Sequence, residues 1–248
     1  GSETNEFIIG RHPVTEAVKS GREINKVWIN EKSSLDPNLL KAMKEQKIKW
    51  QYVPKQKLDQ LTGSSAHQGI VASVAAYRYA SLDDLFDKAE STGELPFFIL
   101  LDGLEDPHNL GSVLRTADSV GAHGIIIGKN RAVGLTSTVA KASTGAIEHI
   151  PVARVTNLAR TIDELKEKGV WIVGTAADQK QSYQEITADV PICIVIGNEG
   201  KGMSRLVRDK CDYLVSIPMR GHVSSLNASV AAALLMYEVY RHRMSSGE

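Results

Sequence analysis

Four short, unbroken apolar runs constrain this chain more than any other feature. They are Phe97-Phe98-Ile99-Leu100-Leu101, Gly124-Ile125-Ile126-Ile127, Val170-Trp171-Ile172-Val173 and Ile192-Cys193-Ile194-Val195-Ile196. None alternates polar with apolar residues, so none suits a strand with one wet face. Such runs fit parallel strands buried on both sides. Helical segments separate them at 109–120, 136–143 and 157–168, and a last helix, rich in Ala, Leu, Met and Tyr, is expected from about Ser225 to Arg243. Alternation of this kind predicts a doubly wound α/β domain with a parallel sheet.

A smaller α/β unit precedes it. Strands are expected at 27–29, 48–53 and 69–74, with helices starting near Pro13 and at Asp36-Pro37, and a shorter one at 57–61. Between the two units, Ser81-Leu82-Asp83-Asp84-Leu85-Phe86 reads as a capped turn or short helix, and 91–96 is turn-rich. The expected organisation is a first domain at 5–75, a linker at 76–95 and a second domain at 96–248.

Charge enters through its distribution. The chain carries 29 Lys and Arg against 29 Asp and Glu, but residues 1–75 carry 11 against 8 and residues 76–95 carry 2 against 5. A modestly basic first domain leaves nucleic acid open as a partner. No run approaches the roughly 18–20 uncharged apolar residues of a membrane helix. The start, Gly1 to Glu6, is polar and acidic, unlike a secretory leader, and Gly1-Ser2 reads as a remnant of expression. Cys193 and Cys211 fit reduced thiols in a cytoplasmic protein, and no Cys or His pair has metal-ligand spacing.

In a doubly wound sheet the ligand lies beyond the C-terminal strand ends. The first run is followed by Asp102 to Gly111 and then Ser112-Val113-Leu114-Arg115-Thr116-Ala117. Here Asn109 fits a helix N-cap. Arg115, six residues on, falls about 120° from the Asn109 stripe of a helix, which suits a surface arginine as well as a functional one. The fourth run leads into Gly197-Asn198-Glu199-Gly200-Lys201-Gly202. Its glycines permit close backbone approach to a ligand, but the spacing is neither a dinucleotide fingerprint nor a P-loop. A further β-like stretch, 213–217, leads through Pro218-Met219-Arg220-Gly221-His222-Val223 to Ser224-Ser225-Leu226-Asn227-Ala228-Ser229, where Ser and Asn could cap the last helix or face a polar ligand. His222 fits a surface loop better than a catalytic base. These polar loops point to an α/β ligand-binding enzyme, and a nicotinamide dehydrogenase lacks its glycine fingerprint here.

Taken together, the stretches Asp106-Pro107-His108-Asn109-Leu110-Gly111 with Arg115-Thr116-Ala117, Ile196 to Gly202, and Ile217-Pro218-Met219 with Ser225 to Ala231 resemble the three motifs of the SpoU/TrmH family, RNA ribose 2′-O-methyltransferases of the SPOUT superfamily. His67-Gln68-Gly69-Ile70-Val71-Ala72 is similar to the end of the substrate-binding domain many of them carry, a ribosomal-protein-like RNA-binding fold. The likeness is nearest to enzymes that methylate a guanosine ribose in 23S ribosomal RNA. It implies a C-terminal domain with a deep trefoil knot, S-adenosylmethionine as methyl donor, RNA as substrate, and a homodimer with its site at the interface. A tRNA methyltransferase and a non-catalytic RNA-binding or ribosome-assembly module are the alternatives.

By that resemblance Gly197, Ile217 and Leu226, with Asn198, Gly200, Met219 and Thr175, are the cofactor positions. Arg115 matches the catalytic arginine, and Asn109, Glu199, Ser225 and Asn227 match the polar positions around it. A guanidinium is too basic to take a proton unaided, so Arg115 is expected to position the nucleotide and stabilise a developing alkoxide. Glu199 becomes an alternative base if burial raises its pKa. Lys41, Lys44, Lys47, Lys49, Lys55 and Lys57 either contact phosphates, with a salt-dependent affinity, or form a solvated face. Trp28, Trp50 and Tyr52 are expected in the core.

Overall fold

In the first part of the chain, alternating short segments become β1 (Glu6–Ile9), α1 (Arg11–Lys19), β2 (Ile24–Asn30), α2 (Pro37–Glu45), β3 (Trp50–Val53), α3 (Lys55–Thr62) and β4 (Ile70–Val74). The computed structural model describes residues 6–19, 24–74, 78–130 and 132–245; the expected remnant at Gly1-Ser2 lies outside them. Asp36 caps α2 by accepting the Asn38 N–H at 2.9 Å, with Pro37 at the first helical position, where its missing N–H costs nothing. The sheet order is β1-β4-β2-β3, with β4 antiparallel to both β1 and β2, and β3 parallel to β2. One face carries Val27, Ile29, Ile70 and Ala72 under Val14, Val18, Leu39 and Met43 of α1 and α2. On the other face Val53 and Val71 are buried with Leu58 of α3.

Two aromatic expectations divide. Trp50 packs on the α1–α2 core, whereas Tyr52 is half exposed, because β3 is an edge strand. His67 is structural: its Nδ1 accepts the Gly69 N–H at 3.0 Å and its Nε2 meets Asp59 at 2.7 Å, closing the turn into β4.

The chain divides after Arg78; residues 79–134 and 138–248 form the second unit, while 135–137 group with the first. The expected linker at 76–95 is therefore corrected. Residues 79–95 belong to the second unit, where α4 (Leu82–Thr92) starts at a capping box between Ser81 and Asp84. Leu85 of α4 is buried against Phe98, Ile126 and Val195, and the Phe86 ring meets Phe98 edge-on at 5.0 Å. The acidic residues that suggested a linker lie between these anchors, on an amphipathic helix.

The rest of this unit is β5 (Phe97–Asp102), α5 (Pro107–Ser119), β6 (Gly124–Gly128), α6 (Ser137–Ala142), β7 (Val152–Val155), α7 (Leu158–Glu167), β8 (Trp171–Thr175), β9 (Ile192–Gly197), α8 (Arg205–Lys210), β10 (Tyr213–Val215) and α9 (Ala228–Ser245). All ladders are parallel, in the order β10-β8-β9-β5-β6-β7. The short runs β1 and β7 escaped the sequence reading. The chain leaves β5 toward β6 and β7 on one side, then builds β8, β9 and β10 on the other. That reversal puts the switch point, where α/β sheets bind ligands, between the C-terminal ends of β5 and β9. Among the described residues no helix is long and apolar enough to cross a membrane.

A buried histidine gives this unit a pH signature. His123 precedes β6 and is 1% exposed; its Nδ1 accepts the Phe97 N–H at 3.0 Å, leaving Nε2–H to donate to Glu94 at 3.3 Å. Burial lowers its pKa, against a smaller opposing pull from Glu94. The unfolded chain therefore takes up the proton first. Stability is full above the ordinary histidine pKa of about 6.5 and falls as pH drops below it. Urea midpoints between pH 7.5 and 5 are expected to fall more steeply for the wild type than for His123→Asn, whose amide oxygen can still accept from Phe97. Parallel slopes would remove His123 as the cause.

Candidate active site

Asp102 and Gly197 are register partners at the ends of β5 and β9, so the loops that follow start side by side. Each loop is then fixed by its own local chemistry. In the first, Asp106 accepts the His108 N–H at 2.8 Å and Pro107 opens α5. Asp106 is thus the N-cap, which corrects the expectation for Asn109. The aspartate sits just ahead of proline, and Asn109 falls inside the first turn with its side chain free to reach elsewhere.

In the second loop, Asn198 holds the turn from within. Its Oδ1 accepts the N–H groups of Gly200 and Lys201 at 2.9 and 3.2 Å, its backbone pairs with Gly202, and its Nδ2 donates to the Gly103 carbonyl at 3.1 Å. The Asn198 side chain is therefore committed to bracing one loop against the other. Asp102 Oδ2 adds a second tie, accepting the Ser204 N–H at 2.7 Å. Sequence reasoning missed Asp102; an acidic residue closing a buried apolar strand was the available signal.

In the third loop, the helix does not begin at Ser225 as expected. Asn227 is the cap of α9, with Oδ1 accepting from Ser229 N at 2.9 Å and Val230 N at 3.3 Å, which leaves 225–226 outside the helix.

The three loops converge on Glu199. Its Oε1 accepts from Asn109 Nδ2 at 3.3 Å and from the Ala228 N–H, the first of α9, at 2.8 Å. A carboxylate at a helix N-terminus is favoured by the unpaired N–H groups there. Asn227 Nδ2 donates to Asn109 Oδ1 at 3.1 Å, and Ser225 Oγ to the Glu199 carbonyl at 3.3 Å. Asn109, Glu199, Ser225 and Asn227 thus form one hydrogen-bonded cluster. Glu199 is exposed, so the burial that would make it a base is not met.

Arg115 does not join this cluster. It lies on α5, exposed, and its side chain makes no hydrogen bond or ion pair among the described residues. A cationic fork with no protein partner is available for an anion.

The strand ends beside the cluster suit a cofactor read mainly by main chain. Thr175 closes β8 opposite Val215 of β10, while Gly197 closes β9. Ile217 and Leu226 are half-buried, Met219 is exposed, and Gly200 is open apart from Asn198 at 3.6 Å. Among the described residues, the backbone groups of 217–226 make no hydrogen bond within the fold, which leaves them free for a ligand's polar edge. These residues fit S-adenosylmethionine. The cysteines take no part: burial raises the Cys193 thiol and pushes Cys211 up to about 11, so neither is a thiolate near neutrality.

Gly197 tolerates no side chain. A Cβ there would stand 2.4 Å from both Gly202 C and Met203 N, backbone atoms of the same braced loop. Gly197→Ala is expected to force that loop open and cost about 1–3 kcal/mol, read from urea unfolding, while Gly200→Ala stays near wild type. Equal midpoints for Gly197→Ala and wild type would contradict the packing.

Comparison with known proteins matches this architecture. Residues 96–237 match the SpoU rRNA Methylase family, and residues 7–80 match the RNA 2′-O ribose methyltransferase substrate binding domain. The chain is 58% identical over 249 residues to YacO of Bacillus subtilis (strain 168), named for the TrmH family of tRNA/rRNA methyltransferases, with all of both chains covered. A similarly named protein of Staphylococcus aureus (strain MSSA476) is 56% identical, with 97% of this chain and 98% of that one covered. Among solved structures, the SpoU methyltransferase AviRb of Streptomyces viridochromogenes, in complex with AdoMet, aligns with a TM-score of 0.63 at 27% identity, covering 97% of this chain and 91% of that one. The chain belongs to the SpoU rRNA methylase family of RNA ribose 2′-O-methyltransferases, enzymes that use S-adenosylmethionine.

Proposed function

We propose that this enzyme methylates the ribose 2′-hydroxyl of a guanosine in 23S ribosomal RNA. The gathering of Asn109, Ser225 and Asn227 around Glu199 carries the methyl-transfer part of this reading, because it builds a polar wall beside the strand ends, and the match to the SpoU rRNA Methylase family supports ribosomal RNA. Bound S-adenosylmethionine supplies an electrophilic methyl group. The free backbone of 217–226 and the ends of β8 and β9 hold it, with Gly197, Ile217 and Leu226 as the principal positions and Thr175, Asn198, Gly200 and Met219 around them. Asn198 serves from behind, by holding the loop. The paired Asn109 and Asn227 amides orient the ribose. Arg115 engages the nucleotide's phosphate and stabilises negative charge growing on the 2′-oxygen as its O–H bond breaks, the proton passing to a non-bridging oxygen of that phosphate and from there to water. Glu199 keeps the wall assembled.

The working unit in this reading is a homodimer. Helix α9 exposes Val230, Leu234, Tyr237 and Met244, spaced as one stripe, with Tyr240 beside it. A soluble monomer rarely leaves so continuous an apolar stripe uncovered. The deep trefoil knot belongs to the same reading; α9 returning from the β10 edge to pack on α5 and β9 supports it.

Mapping 2′-O-methyl sites in RNA from cells with and without the gene tests the substrate. Loss of one guanosine mark in 23S RNA is expected. Loss confined to tRNA would move the assignment to tRNA, and no loss, with no S-adenosylmethionine binding by calorimetry, would leave a non-catalytic RNA-binding module. Light scattering is expected to give twice the 27.0 kDa chain mass; a monomer would overturn the dimer.

A further inference from the structure

The sheet of the first unit has one face that α1 and α2 cover and another that α3 covers only in part. Its strand residues on that second face are Phe7 and Ile9 of β1, Val71 and Ser73 of β4, Lys26 and Trp28 of β2, and Gln51 and Val53 of β3, as the ladder registers fix. Leu58 of α3 buries Val53 and Val71, and Trp28 packs partly against them. Phe7 and Ile9 are each 36% exposed, large apolar groups on a surface with no strand carboxylate beside them.

Three details give this face a chemical character. The Phe7 ring stands edge-on to Trp28, centroids 6.1 Å apart, so two aromatic surfaces meet at an angle. The Lys26 ammonium sits 5.3 Å from the centre of the Trp28 ring and donates to Gln51 Oε1 at 2.8 Å. Its neighbours there are a π-face and an amide, and among the described residues no carboxylate pairs with it. Between Phe7 and Lys26, which both pair with it across the ladders, Ser73 is 1% exposed and its hydroxyl has no hydrogen-bond partner among the described residues. A buried unpaired hydroxyl is costly in a finished core. It becomes useful where a ligand brings the partner.

Aromatic rings, an ammonium and an unsatisfied hydroxyl on one sheet face match the chemistry of an unpaired nucleotide. Its base offers a π-face, its phosphate a negative charge, and its sugar or base edge a hydrogen-bond partner. A duplex offers none of its base faces. We propose that this face is a stacking platform for a single-stranded nucleotide of the RNA substrate, with Phe7 and Trp28 bearing the base and Lys26 its phosphate. The proposal rests on the RNA-methyltransferase reading and assigns RNA contact to the sheet rather than to the lysines of α2, which sit over the opposite face.

The test uses the full-length protein and fluorescence anisotropy with a labelled hexauridylate, a duplex of equal length and an abasic hexamer. Phe7→Leu and Lys26→Gln preserve bulk, and Trp28 is left alone because it also packs under α3. The single strand is expected to bind better than duplex or abasic strand, and each variant to weaken it about fivefold or more, with melting temperature and S-adenosylmethionine affinity unchanged. Lys41→Gln with Lys44→Gln is expected to change this binding less than either platform variant. Wild-type affinity in both platform variants, or equal binding of the abasic strand or the duplex, would overturn the platform and leave the RNA reading intact. Failure of the wild type to bind any strand would sink both.

Discussion

Arg115→Ala is expected to lower the rate of methyl transfer about 10²- to 10³-fold, the cost of removing one preorganised charge-stabilising group. Its exposure, and a side chain without partners among the described residues, predict that the fold will not register the loss. Melting temperature and S-adenosylmethionine affinity by calorimetry should match wild type, so that the defect lies in turnover. Arg115→Lys separates charge from shape. A lysine restores the positive charge but not the planar fork that meets a phosphate with two parallel hydrogen bonds, and only a small part of the rate should return. Wild-type turnover in Arg115→Ala on an RNA that the enzyme methylates would reject the role. A large fall in melting temperature would instead mark Arg115 as structural.

The largest stability effect is expected far from the chemistry. Arg243, near the end of α9, donates to the carbonyl oxygens of Leu95 at 2.8 Å, Pro96 at 3.1 Å, Ala188 at 2.9 Å and Val190 at 3.0 Å. Its guanidinium also lies 5.5 Å from the centre of the Phe97 ring. These carbonyls belong to the segments leading into β5 and β9, the two strands that flank the switch point. One side chain thus fastens the last helix to the entrances of both. Partial burial lowers its pKa, against an opposing pull from Glu94 and Asp189, and a guanidinium keeps its charge in proteins. Arg243→Ala leaves several carbonyls short of a donor and is expected to cost about 3 kcal/mol, visible as a lower urea midpoint with an unchanged slope. Arg243→Lys should recover part of this, since an ammonium cannot span all four acceptors. A midpoint within error of wild type for Arg243→Ala would show that water replaces the guanidinium at no cost.

The contrast between these two arginines shows how far the sequence reaches. Arg115 was singled out because it sits at a fixed spacing in a recognisable stretch. Arg243 was passed over because its partners lie 53 to 148 residues away, and no local pattern marks a side chain that binds distant backbone. The same limit explains the capping error in the first loop. Both Asp106 and Asn109 are good caps by type. The choice fell to Asp106 when Asn109 was drawn to Glu199, 90 residues on, and to Asn227, 118 residues on. The linker error has a compositional origin. The acidic residues of α4 are visible in the sequence, whereas the burial of Leu85 under Phe98 is visible only once the sheet exists.

Alone, the sequence determined the buried strands, the alternation that makes the main sheet parallel, and which loops carry the polar residues, because burial on two faces and turn chemistry are local properties of the chain. The tertiary structure decided strand order, the bracing role of Asn198, the gathering of three loops on one carboxylate, and the aromatic face left open in the first unit. Those depend on groups far apart in the chain coming within 3 Å or so of one another, and hydrogen bonds of that kind leave no periodicity to read.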